Sequence, residues 1–582
     1  MEQRKRKAGL ENEGPFPAMR SRSSPKRKAV RPSKDDDDQT SFARKQMATF
    51  WQLDRQLNQK YGPLIDGKYN QTQLSYALAL LQRDRRDIKR LFDPESGTVY
   101  LSGSNDSCQL GQMTECNSLR QLKNSQPTFK VVQVEAASLA NFLLTSSGQL
   151  FSFGCGDLGS LGRPLPVSVD DDETKLADIR GPVDDETKVA EIRGFHRSTQ
   201  ATVKVSQSLE DGSVIQVATG NTHRLVLSSS GSVYSFGCYM DGENQQYREM
   251  PPPDVPDNDN EKSNQYVGPA PFGHRESPRH LYQMPKKVNR IYAGGNMSAV
   301  RLTDNTIMTW GVESRGELGQ DNSEKDCNVF MKLTEAKKKK DDEDLTEKER
   351  EDFERQYSTC IDTIKSKFMR PSPVVYDPPI GKHVVLDVAC GGCHMLTTVS
   401  EVGNHRSVVY GSGLNQYGQL GLGHEKTVRK LTMLNDSLDR DISQIAAGAF
   451  HSVFLDLTGT RIWTCGRNDY GALGIKDTNA PGDFENRMQS VKFDEEDRDE
   501  DLIFSSVSAG EHQTYAVSKT GKLYSWGFGD TGALCHGRDA DELRPRVVKE
   551  FKSEKCRRIL HACGGSQHVI VLTKKNERPT EF

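Results

Sequence analysis

The chain has 582 residues, of which 34% are hydrophobic and 27% charged, and its formal net charge at pH 7 is −3. It contains no apolar run of the ~18 residues that a membrane-spanning helix needs, and its first residues are basic, unlike a signal peptide. We therefore expect a protein that is neither secreted nor bound to a membrane, with its twelve cysteines reduced.

Residues 1–44 are predicted to form a disordered basic tail. Eleven Lys or Arg but only three Glu lie among the first 34 residues, so a basic arm precedes an acidic body. The clusters Arg4-Lys5-Arg6-Lys7 and Lys26-Arg27-Lys28 favour a nuclear import signal and an arm that contacts DNA phosphates. The alternative is a solvated arm with no specific role.

Residues 45–94 show helical spacing, for example at Leu74, Leu78 and Leu81, and predict a short helical extension. Such a helix would either pack on the rest of the protein or bind a partner, and the sequence leaves both possibilities open.

A repeated unit fills most of the remaining chain. Each unit contains an apolar strand, a turn with Gly, a second apolar strand, another turn, and an aromatic strand that ends in Gly. Glycines at fixed offsets mark tight turns, and the alternating strands between them predict an all-β propeller. Six complete units end their aromatic strands at Gly154, Gly237, Gly311, Gly413, Gly466 and Gly527.

A seventh unit is split between the two ends of the repeat region. Residues 556–575 supply its first half, and residues 98–111 supply its second half. Since an open ring would expose unpaired strand edges, pairing of the two ends is expected. We predict a seven-bladed β-propeller over residues 95–577, closed by pairing of N-terminal and C-terminal strands, with a C-terminal tail at 578–582.

Three long inserts interrupt the repeats and are interpreted as mobile loops. Residues 164–212 contain an acidic tandem duplication, and residues 247–286 are rich in Pro and Asn. Residues 321–382 combine a run of four lysines, at 337–340, with an acidic, helix-prone stretch.

The segment Cys390-Gly-Gly-Cys393-His394 matches the attachment motif of a c-type haem. The same repeat position reads Ala-Thr-Gly-Asn-Thr-His223 and Ala-Ala-Gly-Ala-Phe-His451, which favours a structural role. No phosphate-binding loop and no hydrolase or redox constellation is found. We therefore expect no metal, no cofactor and no covalent chemistry.

These repeats, in this number and with this closure, resemble the regulator of chromosome condensation family over roughly residues 97–575. The repeat is shared by ubiquitin ligases, kinases, a plant ultraviolet sensor and ciliary scaffolds, so fold alone does not decide function. The chain ends with the ring, and its four Trp are too few for the light sensor.

The resemblance and the basic tail together imply a nuclear, chromatin-associated guanine-nucleotide exchange factor for the GTPase Ran. Such a factor would support nuclear transport, spindle assembly and nuclear envelope formation. The implied partners are Ran, the nucleosome with its histones and DNA, and a nuclear import receptor. The alternative is a chromatin- or protein-binding scaffold without exchange activity.

In the resembled family, one propeller face contacts Ran, and a wedge-like loop of the second full blade points toward the nucleotide. Histidines recur at one position of the repeat, and the alternative to contact with Ran is that they form hydrogen bonds within the propeller. The matching wedge is Tyr239, Met240, Asp241, Gly242, Glu243 and Asn244. The candidate face residues are Asn221, His223, Asn296, His394, His451, Glu511, His512 and His568.

The third full blade departs from the family. Where the family has an Asp followed by a His, this chain has Met297 and Ser298. Where the family has an Arg, this chain has Gln320. Fewer charges would weaken contacts to a basic GTPase, which implies either a rebuilt interface or the scaffold. The family's nucleosome-binding loop matches the third insert, where a solvated charged loop is the alternative. Its candidate residues are Lys337, Lys338, Lys339 and Lys340.

Overall fold

A computed structural model describes residues 97–575 of the chain, with gaps. The predicted basic tail, the helical extension and the C-terminal tail lie outside the described residues, as do most of the first two inserts. The gaps are 112–114, 123–130, 146–147, 164–202, 206–212, 242–243, 249–274, 282–283, 341–345, 402–405, 476–482, 495–501 and 550–556.

Seven sheets are arranged as the blades of a propeller. In each blade four antiparallel strands step outward from the centre, and blade 4 has a fifth strand at its outer edge. The first strands of neighbouring blades touch one another in a closed cycle, and so they surround the axis. With strands numbered β1 to β31 along the chain, the first strands of blades 1 to 7 are β3 (Val131–Ala136), β7 (Val214–Thr219), β13 (Val288–Gly294), β18 (His383–Cys390), β22 (Ile442–Ala447), β26 (Phe504–Ala509) and β30 (Arg557–Gly564).

The second strands lie inside each blade, between the first and third strands, and their described side chains are almost all buried. They are β4 (Ala140–Thr145), β8 (His223–Ser228), β14 (Met297–Leu302), β19 (His394–Glu401), β23 (His451–Asp456), β27 (Gln513–Ser518) and β31 (His568–Lys575). The third strands are β5 (Leu150–Gly154), β9 (Val233–Gly237), β15 (Ile307–Gly311), β20 (Ser407–Gly413), β24 (Ile462–Arg467), β28 (Leu523–Gly527) and β1 (Thr98–Gly103).

The outermost strands are the most varied in length. They are β6 (Val203–Lys204), β12 (Arg275–His280), β16 (Ser372–Pro373), β21 (Val428–Met433), β25 (Phe484–Ser490), β29 (Glu542–Val547) and β2 (Cys116–Gln121). Three further short strands are a hairpin of β10 (Tyr239–Met240) with β11 (Gln246–Tyr247), and β17 (Tyr376–Asp377), which runs parallel to β21. Single 3₁₀ turns occur at Asp157–Gly159 and Asn435–Ser437.

Blade 7 closes the ring as predicted. Its two inner strands, β30 and β31, come from the end of the chain, and its two outer strands, β1 and β2, come from residues nearly 500 positions earlier. Strand β1 pairs with β31 in an unbroken antiparallel register from Thr98 opposite Thr573 to Gly103 opposite His568. The predicted seven-bladed propeller with joined ends is therefore confirmed.

The glycine that ends each third strand is required by geometry. At Gly413 the backbone has φ +108°, and a Cβ atom would lie 2.5 Å from the carbonyl oxygen of Cys393 in the turn that precedes the second strand. A side chain there would be strained and would also clash, so the fixed glycine offset follows from close packing of the turns.

Glutamines on the first strands tie neighbouring blades together. Gln216 donates to the carbonyl of Ile291 at 2.9 Å and accepts from the amide of the same residue at 3.1 Å. Gln133 contacts Val217 in the same two-pronged manner, with distances of 3.0 and 3.3 Å. These bonds satisfy backbone groups that face the next blade and fix the rotation between blades.

The third insert contains helices, so its interpretation as a mobile loop is wrong for residues 324–340 and 346–368. It contains α1 (Glu324–Cys327), α2 (Val329–Lys340) and α3 (Glu347–Thr363), followed by a π-helical turn at Ile364–Phe368. Helix α3 begins with a capping box between Thr346 and Glu349. Phe330 and Phe368 are among the apolar residues that bury the insert against blades 2 to 4. We call residues 324–340 and 346–368 the helical insertion.

Within the described residues, no helix is long and apolar enough to cross a membrane.

Candidate functional site

One end of the propeller gathers all the predicted face and wedge residues that the structure describes. The second strand of each blade is antiparallel to both its neighbours, so the turn that precedes it lies beside the end of the third strand, as His223 opposite Gly237 shows. The β10–β11 hairpin follows the third strand of blade 2, and the helical insertion follows the third strand of blade 3. We call this end the loop face.

The four histidines at the starts of second strands do not line this face. They are at most 2% exposed, and each Nε2 atom contacts the next blade. The prediction that these side chains contact a partner is therefore corrected, since burial removes them from the surface. The partners are Met297 O for His223 (3.1 Å), Ser452 Oγ for His394 (3.0 Å), Thr514 Oγ1 for His451 (3.1 Å) and Asn141 Oδ1 for His568 (3.1 Å).

The local sequence Gly-x-x-His creates the space for each ring. A Cβ atom on Gly220 would lie 2.1 Å from Cε1 of His223, and the corresponding distance from Gly448 to His451 is 2.2 Å. Blade 6 has Gln513 at the same strand position, and its Nε2 donates to the carbonyl of Ser566 in blade 7 at 3.0 Å. Histidine and glutamine thus perform one structural task, a bond from blade to blade.

Burial keeps the four histidines neutral. It lowers the pKa of His223, His451 and His568 to about 3 and the pKa of His394 to about 4, from an ordinary value of 6.5. A neutral imidazole loses little when it leaves water, whereas an imidazolium ion in the same place would lose its hydration.

The remaining face residues occupy the turns before the second strands. Asn221 is exposed, whereas Glu511 and His512 are half-buried. The turns are joined by backbone bonds, such as Asn221 N to Gly295 O at 2.9 Å and Glu511 N to Gly565 O at 3.3 Å. These three side chains lie where a partner on the loop face would meet them.

The predicted wedge is a hairpin with a buried base. Tyr239 lies opposite Tyr247, and they are 1% and 0% exposed. The Tyr247 hydroxyl donates to Asp241 Oδ2 at 2.6 Å, and Asn244 adopts φ +60° in the turn. Gly242 and Glu243, also predicted as wedge residues, lie outside the described residues.

Blade 3 holds the hairpin from one side. Trp310 Nε1 donates to the Tyr239 hydroxyl at 2.7 Å, and that hydroxyl lies 3.0 Å from Ser298 Oγ. The rings of Tyr239 and His223 are 4.2 Å apart. The amide of Met240 donates to Asn296 Oδ1 at 2.9 Å. Tyr239 therefore belongs to the support of the hairpin and not to its exposed surface.

Strand register changes the match of blade 3 to the family pattern. Met297 lies opposite Gly311 as His223 lies opposite Gly237, so Met297 occupies the ring position. The Asp-His pair therefore matches Asn296 and Met297 and not Met297 and Ser298. The departure at the acidic position becomes an exchange of carboxylate for amide, a smaller change than the sequence indicated. The doubled glycine at 294 and 295 concealed this register.

Gln320 is bonded inside blade 3. Its Nε2 donates to the carbonyl of Thr309 at 2.7 Å and to Thr309 Oγ1 at 3.0 Å, and its Oε1 accepts from Asn322 Nδ2 at 3.2 Å. Its side chain thus links the base of the helical insertion to the third strand.

Two buried carboxylic acids below the helical insertion were missed by the sequence reasoning. Glu313 and Glu317 are 0% and 6% exposed and stand where blade 4 has Asn415 and Gln419. Burial and the neighbouring Glu317 raise the pKa of Glu313 to about 8, and burial also raises the pKa of Glu317. Comparison of repeats at these two offsets would have revealed the pair.

Glu317→Gln is expected to stabilise the protein at pH 8.5 by on the order of 2 kcal/mol, with little effect at pH 4.5. A carboxyl with a raised pKa is accommodated in its neutral form, so its stabilising contribution is lost as pH rises above the unfolded value of 4.5. The new amide can still accept from the Arg315 amide, as Gln419 accepts from Tyr417 at 3.1 Å. Urea unfolding at the two pH values measures the difference.

The reciprocal control is Gln419→Glu in blade 4, which should destabilise the protein at pH 8.5. A gain of stability from Glu317→Gln that is equal at both pH values would contradict a titrating carboxyl as its cause.

The haem-like segment has a structural role here. His394 makes its bond to Ser452, and burial raises the pKa of the Cys390 and Cys393 thiols to about 12 and 11. Among the residues that the structure describes, no group of three or more His, Cys, Asp or Glu is arranged to hold a metal ion.

The family model for the RCC1-like domain matches residues 98–571. The chain belongs to the RCC1-like domain family. Regulators of chromosome condensation from Drosophila melanogaster and Homo sapiens are 26% and 25% identical over 83% and 84% of this chain, which correspond to 69% and 93% of those proteins. The guanine nucleotide exchange factor SRM1 of Saccharomyces cerevisiae is 27% identical over 64% of this chain and 82% of its own length.

Solved structures support the same RCC1-like fold. Prp20p of Saccharomyces cerevisiae, described with its binding properties to Gsp1p and histones, superposes with a TM-score of 0.59 at 20% identity, covering 83% of this chain and 93% of Prp20p. The ubiquitin ligase HERC4 of Homo sapiens is 33% identical, but only over 34% of this chain and 17% of the ligase. The family resemblance predicted from the repeats is confirmed.

Proposed function

We propose that this RCC1-like protein is a guanine-nucleotide exchange factor for the small GTPase Ran. The proposal rests on the hairpin formed by β10 and β11, which lies at the loop face at the family's wedge position and whose base is bonded to blade 3. The similarity to yeast SRM1, named as an exchange factor, supports the same activity.

Exchange of this kind needs no covalent chemistry. A factor that binds nucleotide-free GTPase more tightly than loaded GTPase lowers nucleotide affinity, and by reciprocity the nucleotide expels the factor. The protein must then present a rigid surface, because a surface that reorders on contact would lose part of the binding energy. The bonded turns and the anchored hairpin supply such a surface.

The residues that would meet Ran are the exposed and half-buried ones of the loop face. Asn221, Glu511 and His512 offer polar contacts from the turns, and Asp241 and Asn244 offer them from the hairpin. The buried ring histidines would act only by keeping the turns in place.

Chromatin and a nuclear import receptor are proposed as further partners, and the nucleus as the site of action. Prp20p is described with histones, and yeast RCC1 is described bound to Kap60, which supports both partners. In this chain the basic tail at residues 1–44 would contact DNA phosphates and the import receptor. Lys337 to Lys340, the last residues of α2, would contact the nucleosome.

Release of fluorescent GDP from Ran tests the exchange activity. The wild-type protein should accelerate release, and replacing residues 240–245 by Gly-Ser should reduce the acceleration by at least about a hundredfold, because the wedge is lost. Tyr239 and Tyr247 are kept so that the base still folds. The control replaces Thr303 to Thr306, a turn on the opposite end of blade 3, and should retain full activity.

A scaffold without exchange activity is the second candidate. It is favoured by Asn296 and Gln320, which stand where the family has an Asp and an Arg and whose side chains form bonds within the protein. Absence of GDP release by the folded wild-type protein, together with nucleosome binding, would establish the scaffold instead.

A further inference from the structure

The helical insertion touches the second strand of the hairpin, β11. The Tyr247 ring, at the end of β11, meets the ring of Phe330 in the first turn of α2 edge-on, with centroids 5.2 Å apart. Phe330 in turn packs on Phe368 at 5.4 Å, in the π-helical turn that ends the insertion. All three rings are at most 3% exposed.

A hairpin with two residues in each strand cannot hold its own shape in water, since isolated hairpins are marginal even at greater length. Its order must come from its surroundings. Blade 3 supports β10 through Tyr239 and Met240, whereas β11 is supported through Tyr247 by the helical insertion. The two supports act on opposite strands.

Tyr247 also joins this support to the hairpin turn. Its hydroxyl donates to Asp241 Oδ2 at 2.6 Å, and Asp241 Oδ1 accepts from the amide of Gln245 at 3.0 Å. The Asp241 carboxylate therefore bridges the ring that packs on the insertion and the backbone that reverses the chain. Displacement of the ring would release both bonds.

We propose that the helical insertion positions the hairpin, with Phe330 as the positioning residue that acts through Tyr247. The effect of this positioning on nucleotide release rests on the proposed exchange function. Phe330 does not touch the partner. Phe330 fixes the position of the hairpin, and the hairpin would contact the partner.

The test compares Phe330→Ala with Phe454→Ala, a matched deletion of a buried phenyl group in the core between blades 4 and 5. Amide hydrogen exchange of residues 239–247 should accelerate at least about tenfold in Phe330→Ala and stay unchanged in Phe454→Ala, although both lower the melting temperature. Phe330→Leu, which keeps apolar contact, should restore most of the protection.

Tyr247→Phe keeps the ring contact but removes the bond to Asp241. It provides a second test of the positioning role if Phe330→Ala does not fold. It should accelerate exchange of the Gln245 amide while leaving the rest of blade 2 protected. Unchanged protection of residues 239–247 in both variants would overturn the positioning role.

The rate of GDP release from Ran separates this role from the proposed function. In Phe330→Ala the maximal rate should fall at least about tenfold with a smaller change in the concentration of half-saturation, because a displaced wedge acts on the bound complex. If the hairpin amides respond as expected but wild-type protein releases no GDP, the exchange function fails and the positioning role stands. A folded Phe330→Ala variant with loosened hairpin and undiminished release would overturn the catalytic consequence.

Discussion

Replacing the four ring histidines by glutamine will remove much of the acid sensitivity of the propeller. The variant carries His223→Gln, His394→Gln, His451→Gln and His568→Gln. We compare the free energy of unfolding of the variant minus that of wild type at two pH values. This difference should be more favourable to the variant at pH 5 than at pH 7.5 by about 8 kcal/mol, or about 2 kcal/mol for each site. Urea unfolding at both pH values gives this difference directly.

The sign follows from where protons bind. Each histidine has a lowered pKa in the folded protein, about 3 to 4, and about 6.5 when unfolded. The neutral ring therefore supports the fold fully above pH 6.5, and this support declines as pH falls toward 4. Glutamine does not titrate, and Gln513 demonstrates that it can make the blade-to-blade bond.

Buried carboxyl groups have the opposite effect on the pH dependence of stability. The contribution of the histidines is therefore measured by comparing the variant with wild type, because the pH dependence of wild type alone combines both effects. The raised pKa values of Glu135, about 7, and of Glu313, about 8, make the folded protein bind protons over part of the same range. At pH 5 the wild-type protein takes up protons when it unfolds, because its histidines become protonated. Each single His→Gln variant should take up about one proton fewer. An identical pH dependence in wild type and the quadruple variant would contradict neutral, buried histidines.

Deletion of residues 568–575 should abolish cooperative folding. This segment is β31, which pairs with β30 on one side and β1 on the other. Val569, Ile570, Val571 and Leu572 are at most 2% exposed, and losing their burial costs about 8 kcal/mol, comparable with the whole stability of a domain. The same deletion leaves β1 without its inner partner and opens the ring.

The matched control deletes only residues 578–582. Circular dichroism during heating should show a single cooperative transition for this control and none for the strand deletion. A cooperative transition near the wild-type temperature in the strand deletion would mean that the ring does not depend on closure by its ends.

The fold was predictable because propeller blades impose local requirements on the sequence. Positive φ and close approach at positions such as Gly413 demand glycine, so the repeats and their split blade were visible in the spacing alone. The roles of the histidines were less accessible. A polar residue at a strand start can face solvent or the next blade, and only the packing of Gly220 against His223 decides between the two.

Contacts between different blades could not be read from the sequence. Two adjacent glycines, at 294 and 295, allow two alignments of blade 3 with the repeat, and the strand pairing decides between them. The contact of Tyr247 with Phe330 joins residues from separate inserts. In the third insert, the helix-prone composition was recognised, but Ile361, Ile364 and Phe368 at helical spacing also indicated a face that packs on the ring. That signal was overlooked among the charges.

The affinity of the protein for Ran with and without nucleotide distinguishes an exchange factor from a scaffold. Isothermal titration should show that nucleotide-free Ran binds at least about a hundredfold more tightly than Ran loaded with GDP, and that added GDP or GTP dissociates the complex. Equal affinity for the two forms, or no binding to either by the folded protein, would contradict an exchange factor.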